Sequence, residues 1–530
     1  MVKQVRKSSR EIKTVYFLVL FIFIHLLYAI FWGGLKQDAY IDEYWSYGLA
    51  NNMGSIVVRP ENGIVYQGPE LFHDFFAVQN GENFNYSNVW AQQALDVHPP
   101  FYYVILHTVC SLFPGTFNFW LGLLPNFIFL VIIDILLYLI AQSLLKSQNL
   151  ALITVIANGT GVMMMNMIVF IRMYAMLTVF ILALIHLSVS YRDKEKDIKF
   201  WPTLYLITVL GTMTQYYFLI FLFFWWLFQE ALCVYRKRWK ESLLFIVTMV
   251  AAALTCIWIF SPILEQILGS SGRGAEARRN FAALEGVRKA VKEYAEIILD
   301  QLFGGFYVGL ILFLSLGVFL ILRIKKTKTL IKEISTEEWM LLFVILSYLA
   351  VIIKISPYHV DRYIMSFGWC MVLLVIDLIY RMIRAMKPEW KEQIIYILIC
   401  CICLGLNVLS MASHHWGLPY AYLERREELA SYEAYREYPA VFIYRNEPEY
   451  RIIHYGRELP LYESYTFLNV ENAPEMLADR NEENMVLYIM DDIDSEELLD
   501  KISGADDNRN TLSLIGSYYV TNVYYLEKNR

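Results

Sequence analysis

The stretch between residues 37 and 107 decides how this chain is organised. It begins with QDAYIDEYWSYGLANN (residues 37–52) and ends with DVHPPFYYVILH (residues 96–107). Two adjacent carboxylates, Asp42 and Glu43, come shortly after the first long apolar segment. Ionisable groups placed beside such segments indicate a functional site at the surface of a membrane.

The composition is that of a membrane protein with many spans. Of the 530 residues, 57% are hydrophobic and 18% are charged, which is more apolar and less charged than an ordinary soluble domain. Residues 412–530 contain 11 Lys and Arg against 23 Asp and Glu, so the net charge of −6 conceals an acidic C-terminal part and a basic remainder. The acidic balance argues against nucleic acid as a partner. All seven cysteines fall in apolar segments, so no disulfide framework is expected.

Apolar runs long enough to cross a bilayer follow one another along residues 1–411. The first run, residues 15–35, carries no charge, and we interpret it as a retained membrane anchor. Five Lys and Arg lie in residues 2–13, which predicts a cytoplasmic N-terminus. About eleven transmembrane helices are expected, and the ten further runs lie at residues 117–143, 150–169, 173–190, 200–214, 215–235, 242–262, 303–323, 338–355, 363–384 and 393–411.

A shorter apolar run at residues 101–113 decides the predicted orientation. It ends at Pro114-Gly115 and is short for a span. If it lies at the outer face without crossing, every basic linker falls on the cytoplasmic side, as membrane topology requires. We therefore predict an outer juxtamembrane helix here; the basic linkers are Lys146, Arg192–Lys199, Arg236–Lys240, Arg323–Lys332 and Arg381–Lys391.

The polar C-terminal residues predict a second domain. Runs of β-branched and aromatic residues alternate with helix-like runs, which favours a small α/β domain over residues 412–530 on the extracytoplasmic side. Residues 1–411 would then form the membrane domain, with residues 36–116 as its outer catalytic loop. Strands are expected at residues 440–444, 463–470, 484–490 and 511–526, and helices at residues 473–480 and 494–503.

The Asp42-Glu43 pair has two interpretations. Carboxylates at the start of a helix are stabilised by its dipole, so the pair could serve only as an N-terminal cap. Alternatively, one of them is a general base that deprotonates an acceptor hydroxyl or amine.

The second polar cluster is Asp96 and His98, which precede Pro99-Pro100. The two prolines stiffen the entry to the following helix, so a structural elbow is one interpretation. Two potential ligands do not define a metal site. A divalent metal is therefore possible but not indicated, and no cofactor is certain.

Cations and aromatic side chains gather in the turns predicted to face outward. Arg172 lies between two apolar runs. A charge in this position indicates a functional site, or a side chain that extends to the membrane surface. Such groups suit a lipid-linked anionic sugar, because cations bind phosphate and aromatic rings bind sugars, although interfacial tyrosines also form ordinary aromatic belts. The candidate substrate-binding residues are Asp96, His98, Arg172, Tyr174, Tyr217, His359, Arg362 and Tyr363.

Taken in order, these motifs resemble the polyprenyl-phosphate-sugar-dependent glycosyltransferases of the GT-C fold, in particular the protein O-mannosyltransferase-like and aminoarabinose-transferase-like families. The resemblance rests on the acidic pair, DVHPPFYY (residues 96–103), RMYAM (residues 172–176) and HVDRY (residues 359–363). It implies a GT-C fold, a polyprenyl-phosphate sugar donor and Asp42 as the catalytic carboxylate. Phe101 departs from the leucine common after HPP in bacterial members.

The sequence thus predicts an all-α, polytopic, GT-C-like cell-membrane protein that transfers a hexose or pentose to an extracytoplasmic acceptor. Its expected partners are a polyprenyl-phosphate-linked sugar, membrane lipids and that acceptor. An alternative is a transporter or flippase for lipid-linked oligosaccharides, which would need charges along a path through the bilayer midplane. A sensor with an outer binding domain is a third possibility, but it would not need the carboxylate pair.

Overall fold

The computed structural model describes residues 2–192, 196–283, 286–323, 332–446, 451–478, 484–503 and 511–527. Within these ranges most of the chain is helical. The α-helices are α1 (Val2–Leu35), α2 (Ile41–Asn51), α3 (Glu70–Phe76), α4 (Tyr86–Leu95), α5 (Phe101–Ser111), α6 (Phe119–Leu145), α7 (Gln148–Gly159), α8 (Val162–Val169), α9 (Tyr174–Ser190), α10 (Phe200–Thr214), α11 (Tyr217–Tyr235), α12 (Trp239–Ile259), α13 (Ile263–Leu268), α14 (Gly272–Ala282), α15 (Val287–Leu302), α16 (Phe306–Leu322), α17 (Thr336–Ile355), α18 (Gly368–Met386), α19 (Glu392–Ser413), α20 (Arg425–Tyr432), α21 (Ala473–Ala478) and α22 (Ser495–Ser503). The strands are β1 (Val65–Tyr66), β2 (Ala440–Tyr444), β3 (Tyr465–Asn469), β4 (Asn484–Met490), β5 (Thr511–Tyr518) and β6 (Thr521–Glu527).

The polytopic helical architecture is confirmed. In the described part of the chain, seven helices are long and apolar enough to cross a membrane, and two bent pairs, α7–α8 and α15–α16, pass the same test only together. Ten of the eleven predicted runs each fall on one helix, whereas the run at residues 150–169 falls on the bent pair α7–α8. Helices α9 and α10 are shorter than the roughly 20 residues of a perpendicular crossing. Eleven crossings therefore remain a prediction.

Helix α5 is short, as predicted for the run at residues 101–113. Its 11 residues extend about 16 Å at 1.5 Å per residue, roughly half the hydrocarbon thickness of a bilayer. Helices α13, α14 and most of α15 occupy the segment between Ile263 and Asp300. Parts of two predicted basic linkers, residues 193–195 and 324–331, lie outside the described residues.

The chain forms two compact units. The first comprises Met1–Leu35, Asp96–Tyr102 and Gly122–Ala421. Its helices are interrupted by bends, the bend between α7 and α8 being 58°. At that bend Asn407 of α19 donates to the carbonyl oxygen of Ala157 and to Thr160 Oγ1, both at 2.8 Å. The buried Asn407 amide thus supplies hydrogen bonds to polar groups at the break in the helix.

The second unit comprises Lys36–Leu95, Tyr103–Leu121 and Tyr422–Arg530. Its core is a six-stranded mixed sheet in the order β1-β3-β2-β4-β6-β5. Strand β2 runs parallel to both β3 and β4, whereas the β1–β3, β4–β6 and β5–β6 pairs are antiparallel. The sheet is therefore built mainly from the C-terminal residues, as the sequence predicts.

The sheet also contains a strand from the outer loop, β1. The predicted domain began at residue 412 and did not include this strand. Val65 pairs with Thr466, and Tyr66 stacks on Tyr465 with ring centroids 5.7 Å apart. Without β1, strand β3 would be an edge with unpaired backbone groups. A strand of two residues has no alternating pattern to reveal it in the sequence.

The predicted elements of the C-terminal part lie close to their expected positions. Strands β2 and β4 match residues 440–444 and 484–490, while the long run at residues 511–526 is a hairpin of β5 and β6. Helix α22 begins after Asp494, whose Oδ1 accepts from the backbone N–H groups of Glu496 and Glu497 at 3.0 and 3.1 Å. Residues 479–480 of the other predicted helix lie outside the described residues.

Candidate active site

The first turn of α2 gives its two adjacent carboxylates different surroundings. Glu43 is fully buried; its Oε1 lies 3.0 Å from Lys36 Nζ, and its Oε2 accepts from the Tyr40 backbone N–H at 2.7 Å. Burial lowers the pKa of Lys36, and the Glu43 carboxylate opposes that shift. Glu43 therefore caps the helix and neutralises a buried lysine.

Asp42 is only partly buried. Adjacent helical positions diverge by about 100°, so it cannot share the environment of Glu43. The negative charge of Asp42 acts on two neighbours in the same unit, His454 and Tyr519. Burial lowers the pKa of His454 to about 4, against the charges of Asp38 and Asp42. Of the two adjacent carboxylates, Asp42 is therefore the one that is exposed in part.

Asp96, His98 and Arg172 form a hydrogen-bonded chain in the first unit. His98 Nδ1 lies 2.8 Å from Asp96 Oδ2, and its Nε2 lies 3.3 Å from Arg172 Nη2. Because guanidinium groups only donate, the imidazole accepts at Nε2 and donates from Nδ1 to the carboxylate. Burial raises the pKa of Asp96, but the neighbouring His98 and Arg172 outweigh it and hold that pKa below its ordinary value. The structure thus brings together three residues that the sequence singled out.

Arg172 is presented by a break between α8 and α9. Asn126 of α6 donates to the carbonyl oxygens of Ile168 and Phe170 at 3.0 and 2.8 Å, so the interrupted backbone is satisfied by a side chain from another helix. Ser366 Oγ donates to the carbonyl oxygen of Tyr174, the first residue of α9, at 3.1 Å. The broken segment is therefore fixed on both sides of the arginine.

A second buried centre surrounds Asp361. Its Oδ2 accepts from Asn166 and Gln301 at 2.9 and 3.0 Å, and its Oδ1 accepts from the Tyr420 hydroxyl at 2.9 Å. Asn166 lies on α8, whose last turn precedes Arg172, and the Phe170 ring stacks on Tyr420 at 4.0 Å. The turn that carries Arg362 is thus bonded to the helix that leads to Arg172.

The remaining predicted residues surround that turn. The Arg362 guanidinium lies 5.3 Å from the centroid of the Tyr363 ring, which meets the Tyr217 ring edge-on at 5.1 Å. His359 Nδ1 hydrogen-bonds to Glu293 of α15, so it pairs with a residue that the sequence did not single out.

A polar link joins the Asp96–His98–Arg172 chain to an apolar groove. Gln266 of α13 donates to the Asp96 carbonyl oxygen at 2.8 Å and accepts from the Tyr216 hydroxyl. Other side chains of α13 line a groove of about 620 Å³ between α10, α11 and α12. Its lining includes Leu222, Trp226, Met249, Ile263, Leu264 and Leu268.

Sequence reasoning missed the supporting amides Asn126, Asn166 and Gln266. Asn126 and Asn166 each interrupt an apolar run, and that isolated polarity is the signal that could have found them. The predicted catalytic pair lies in the second unit, and all eight predicted substrate-binding residues lie in the first. Among the described residues, no group of three His, Cys, Asp or Glu side chains could hold a metal ion.

Part of the sequence matches a known protein family. Residues 97–264 match the family described as dolichyl-phosphate-mannose-protein mannosyltransferase. The matched range contains His98, Arg172, Tyr174 and Tyr217, whereas Asp42 lies before it. No curated protein is significantly similar to the chain.

Solved structures are similar to this chain. The crystal structure of ArnT from Cupriavidus metallidurans bound to undecaprenyl phosphate superposes with a TM-score of 0.50 at 9% identity, covering 96% of this chain and 97% of that one. For the apo state of the same protein the TM-score is 0.46 at 8% identity, covering 91% and 95%. The archaeal oligosaccharyltransferase AglB from Archaeoglobus fulgidus gives 0.44 at 9% identity, covering 89% of this chain and 69% of that one.

The chain is therefore a multi-pass membrane protein with the GT-C fold of the polyprenyl-phosphate-dependent glycosyltransferases, and the resemblance predicted from its motifs is confirmed. Within that class, its residues 97–264 carry the sequence pattern of the dolichyl-phosphate-mannose-protein mannosyltransferases.

Proposed function

We propose that this protein transfers a sugar from a polyprenyl-phosphate donor to an extracytoplasmic acceptor in the cell envelope: a glycan, a lipid or a protein. The observation that carries the proposal is the helix break that presents the buried Arg172 beside His98 and Asp96. Arg172 and His98 lie within the range that matches the mannosyltransferase family, and Asp96 lies one residue before it. The fold is shared with an ArnT whose structure is bound to undecaprenyl phosphate.

The first unit would hold the donor. Arg172 and Arg362 provide positive charge for the phosphate, and charge-assisted hydrogen bonds are the strong ones in protein sites. Tyr174, Tyr217 and Tyr363 provide aromatic surface for the sugar. The groove of about 620 Å³ beside α13 is apolar, as the hydrocarbon tail requires.

Asp42 would supply the base. Asp42 takes the proton of the acceptor hydroxyl as the acceptor oxygen attacks the anomeric carbon from the face opposite the phosphate. The bond between the anomeric carbon and the phosphate oxygen breaks, and polyprenyl phosphate leaves with the bonding electrons. The configuration inverts, and the phosphate needs no general acid because it leaves as a stable anion. Glu43 helps by holding the start of α2.

The test uses purified protein in nanodiscs with an undecaprenyl-phosphate-linked sugar and an extract of cell-envelope acceptors, and it measures the undecaprenyl phosphate released. Asp42→Asn keeps the size of the side chain but removes the base, so transfer should fall by roughly 10²–10⁴-fold while undecaprenyl phosphate still binds. Arg172→Gln should instead weaken that binding by about tenfold or more.

The matched control is Arg236→Gln, which removes an exposed arginine after α11 and should change neither quantity. Near-normal transfer by Asp42→Asn would reject the base. Unchanged undecaprenyl phosphate affinity in Arg172→Gln would reject the donor site.

A further inference from the structure

The second unit contains a cavity of about 280 Å³ for which the transfer reaction has so far no use. This volume is close to the lower end of small-molecule sites, roughly 300 Å³. Its walls come from the start of the outer loop, from α20 and from the segment before β3. The lining includes Tyr44, Arg426, Arg436, His454, Arg457 and Glu458.

His454 is the feature that indicates a ligand. Its side chain lines the cavity with 6% exposure, and neither ring nitrogen has a hydrogen-bond partner among the described residues. Burial lowers the pKa of His454 to about 4, so the imidazole is neutral near neutral pH and offers one N–H donor and one lone pair. Buried polar groups are nearly always paired. A single hydroxyl group can satisfy either ring nitrogen, because it both donates and accepts.

Two carboxylates of the cavity, Asp38 and Glu458, form ion pairs with the same arginine. Arg425, which is buried, lies 3.2 Å from Asp38 and 2.8 Å from Glu458, and it also pairs with Glu428. The Tyr518 ring lies 3.5 Å from the same guanidinium. Both acids are therefore held in ion pairs within the protein, and Arg425 offsets part of their negative charge.

Two of the three arginines at the rim have no carboxylate partner among the described residues. Arg436 is paired with Glu433 at 3.0 Å. Arg457 donates to the Gln37 carbonyl oxygen, a neutral acceptor, and lies over the Phe119 ring at 4.7 Å. Arg426 is exposed on α20. The charges of Arg426 and Arg457 are thus available to an anion.

We propose that this cavity binds an anionic sugar of the acceptor, a hexose unit that carries a carboxylate or a phosphate. Arg426 and Arg457 bind the anionic oxygens, and His454 binds a ring hydroxyl. Tyr44, which lines the cavity, lies two residues after Asp42 in α2, so the bound sugar would lie beside the helix that carries the base. The inference rests on the proposed function and names the chemistry of its acceptor.

The experiment titrates the full-length protein in nanodiscs with four probes and follows binding by saturation-transfer NMR. The probes are D-glucuronate, glucose 6-phosphate, glucose and inorganic phosphate. One of the two charged sugars should bind at least about tenfold more tightly than either glucose or inorganic phosphate, since a charge-assisted bond adds to the hydroxyl contacts. The stronger charged sugar identifies the anion as a carboxylate or a phosphate.

Variants locate the site. Arg426→Gln and His454→Phe should each weaken binding of the preferred sugar by about tenfold. Arg445→Gln removes an exposed arginine just after β2, outside the cavity, and should bind like the wild type. A thermal unfolding scan of each variant identifies any that fail to fold, and Arg426, being exposed, should be tolerated.

Three outcomes would overturn the proposal: no saturable binding, equal binding of glucose and the charged sugars, or unchanged binding in both cavity variants. A failure of the proposed function would give a different result from a failure of the cavity proposal. Asp42→Asn should keep sugar binding, so a protein that binds the sugar but lacks transfer would contradict the enzyme and not the cavity.

Discussion

At the scale of single residues, two consecutive carboxylates in one helical turn have different surroundings. Asp42 is partly exposed, whereas Glu43 is buried against Lys36 and caps α2. Removing one partner of a buried ion pair leaves an uncompensated charge, which typically costs about 3–5 kcal/mol. Glu43 should therefore report on stability, and Asp42 on catalysis.

We expect Glu43→Gln to lower the thermal unfolding temperature markedly while transfer per folded molecule changes little. Gln can still accept the Tyr40 N–H, so the loss is that of the counter-ion. The matched variant Lys36→Met/Glu43→Gln removes both charges and should recover part of the lost stability, which a double-mutant cycle measures. Unchanged unfolding temperatures would contradict the structural role of Glu43.

Glu458 makes the stability of the protein depend on pH. Burial raises its pKa from the ordinary 4.5 to about 7, against the attraction of Arg425. A carboxyl group whose pKa is raised by folding binds its proton more tightly in the folded state. Its contribution is fully present below about pH 4.5 and is lost as the pH rises through about 7.

Glu458→Gln abolishes this titration. The unfolding temperature of the variant, measured relative to wild type, should therefore rise between about pH 5 and pH 8, by an amount equivalent to at most about 3 kcal/mol. His454 titrates in both proteins, so its opposite effect cancels in the difference. Glu463→Gln, at an exposed site, should show no such trend. A difference independent of pH would refute the raised pKa.

At the scale of elements, the apolar helices are broken where buried asparagines can satisfy the released backbone groups. Asn407 supports the break between α7 and α8, and Asn126 supports the one between α8 and α9. Each break lets the chain change direction without leaving carbonyl groups unpaired. The second break is the one that carries Arg172.

We expect Asn126→Leu to reduce both stability and undecaprenyl phosphate binding, because the segment that carries Arg172 loses its support. Each orphaned buried carbonyl costs about 1–3 kcal/mol. Asn407→Leu is the matched control, since it removes an equivalent support from the other break and should cost stability alone. Thermal unfolding and lipid binding, measured on both variants, separate the two effects. Equal lipid affinity in both variants would show that the Asn126 support does not matter for the donor.

At the scale of the whole molecule, the proposed orientation places the N-terminus in the cytoplasm and residues 412–530 outside. It depends on α5 not crossing the membrane. Single cysteines introduced into a variant without native cysteines should react with an impermeant maleimide from outside at Ser87, Ser271 and Ser431, and all three positions are exposed.

Cysteines at Lys237 and Lys387, also exposed, should react only after the membrane is permeabilised. These two positions lie in predicted cytoplasmic linkers, so their labelling from outside would overturn the orientation.

The sequence by itself determined the features that depend on local composition. Apolar length identifies membrane helices because each must match the bilayer, and the short run at residues 101–113 already predicted a short helix. Strands β2 and β4 were equally readable, because buried strands are continuous apolar runs. The motif around His98 was specific enough to predict the fold class.

Only the tertiary structure decided which polar groups pair. Asp361 bonds to Asn166, Gln301 and Tyr420, and β1 joins β3 across about 400 residues of chain. Such partners are chosen by the need to satisfy every buried donor and acceptor, which depends on which helices and strands meet in space. For the same reason the sequence could not tell Asp42 from Glu43, because the difference arises from the burial of Lys36 beside one of them.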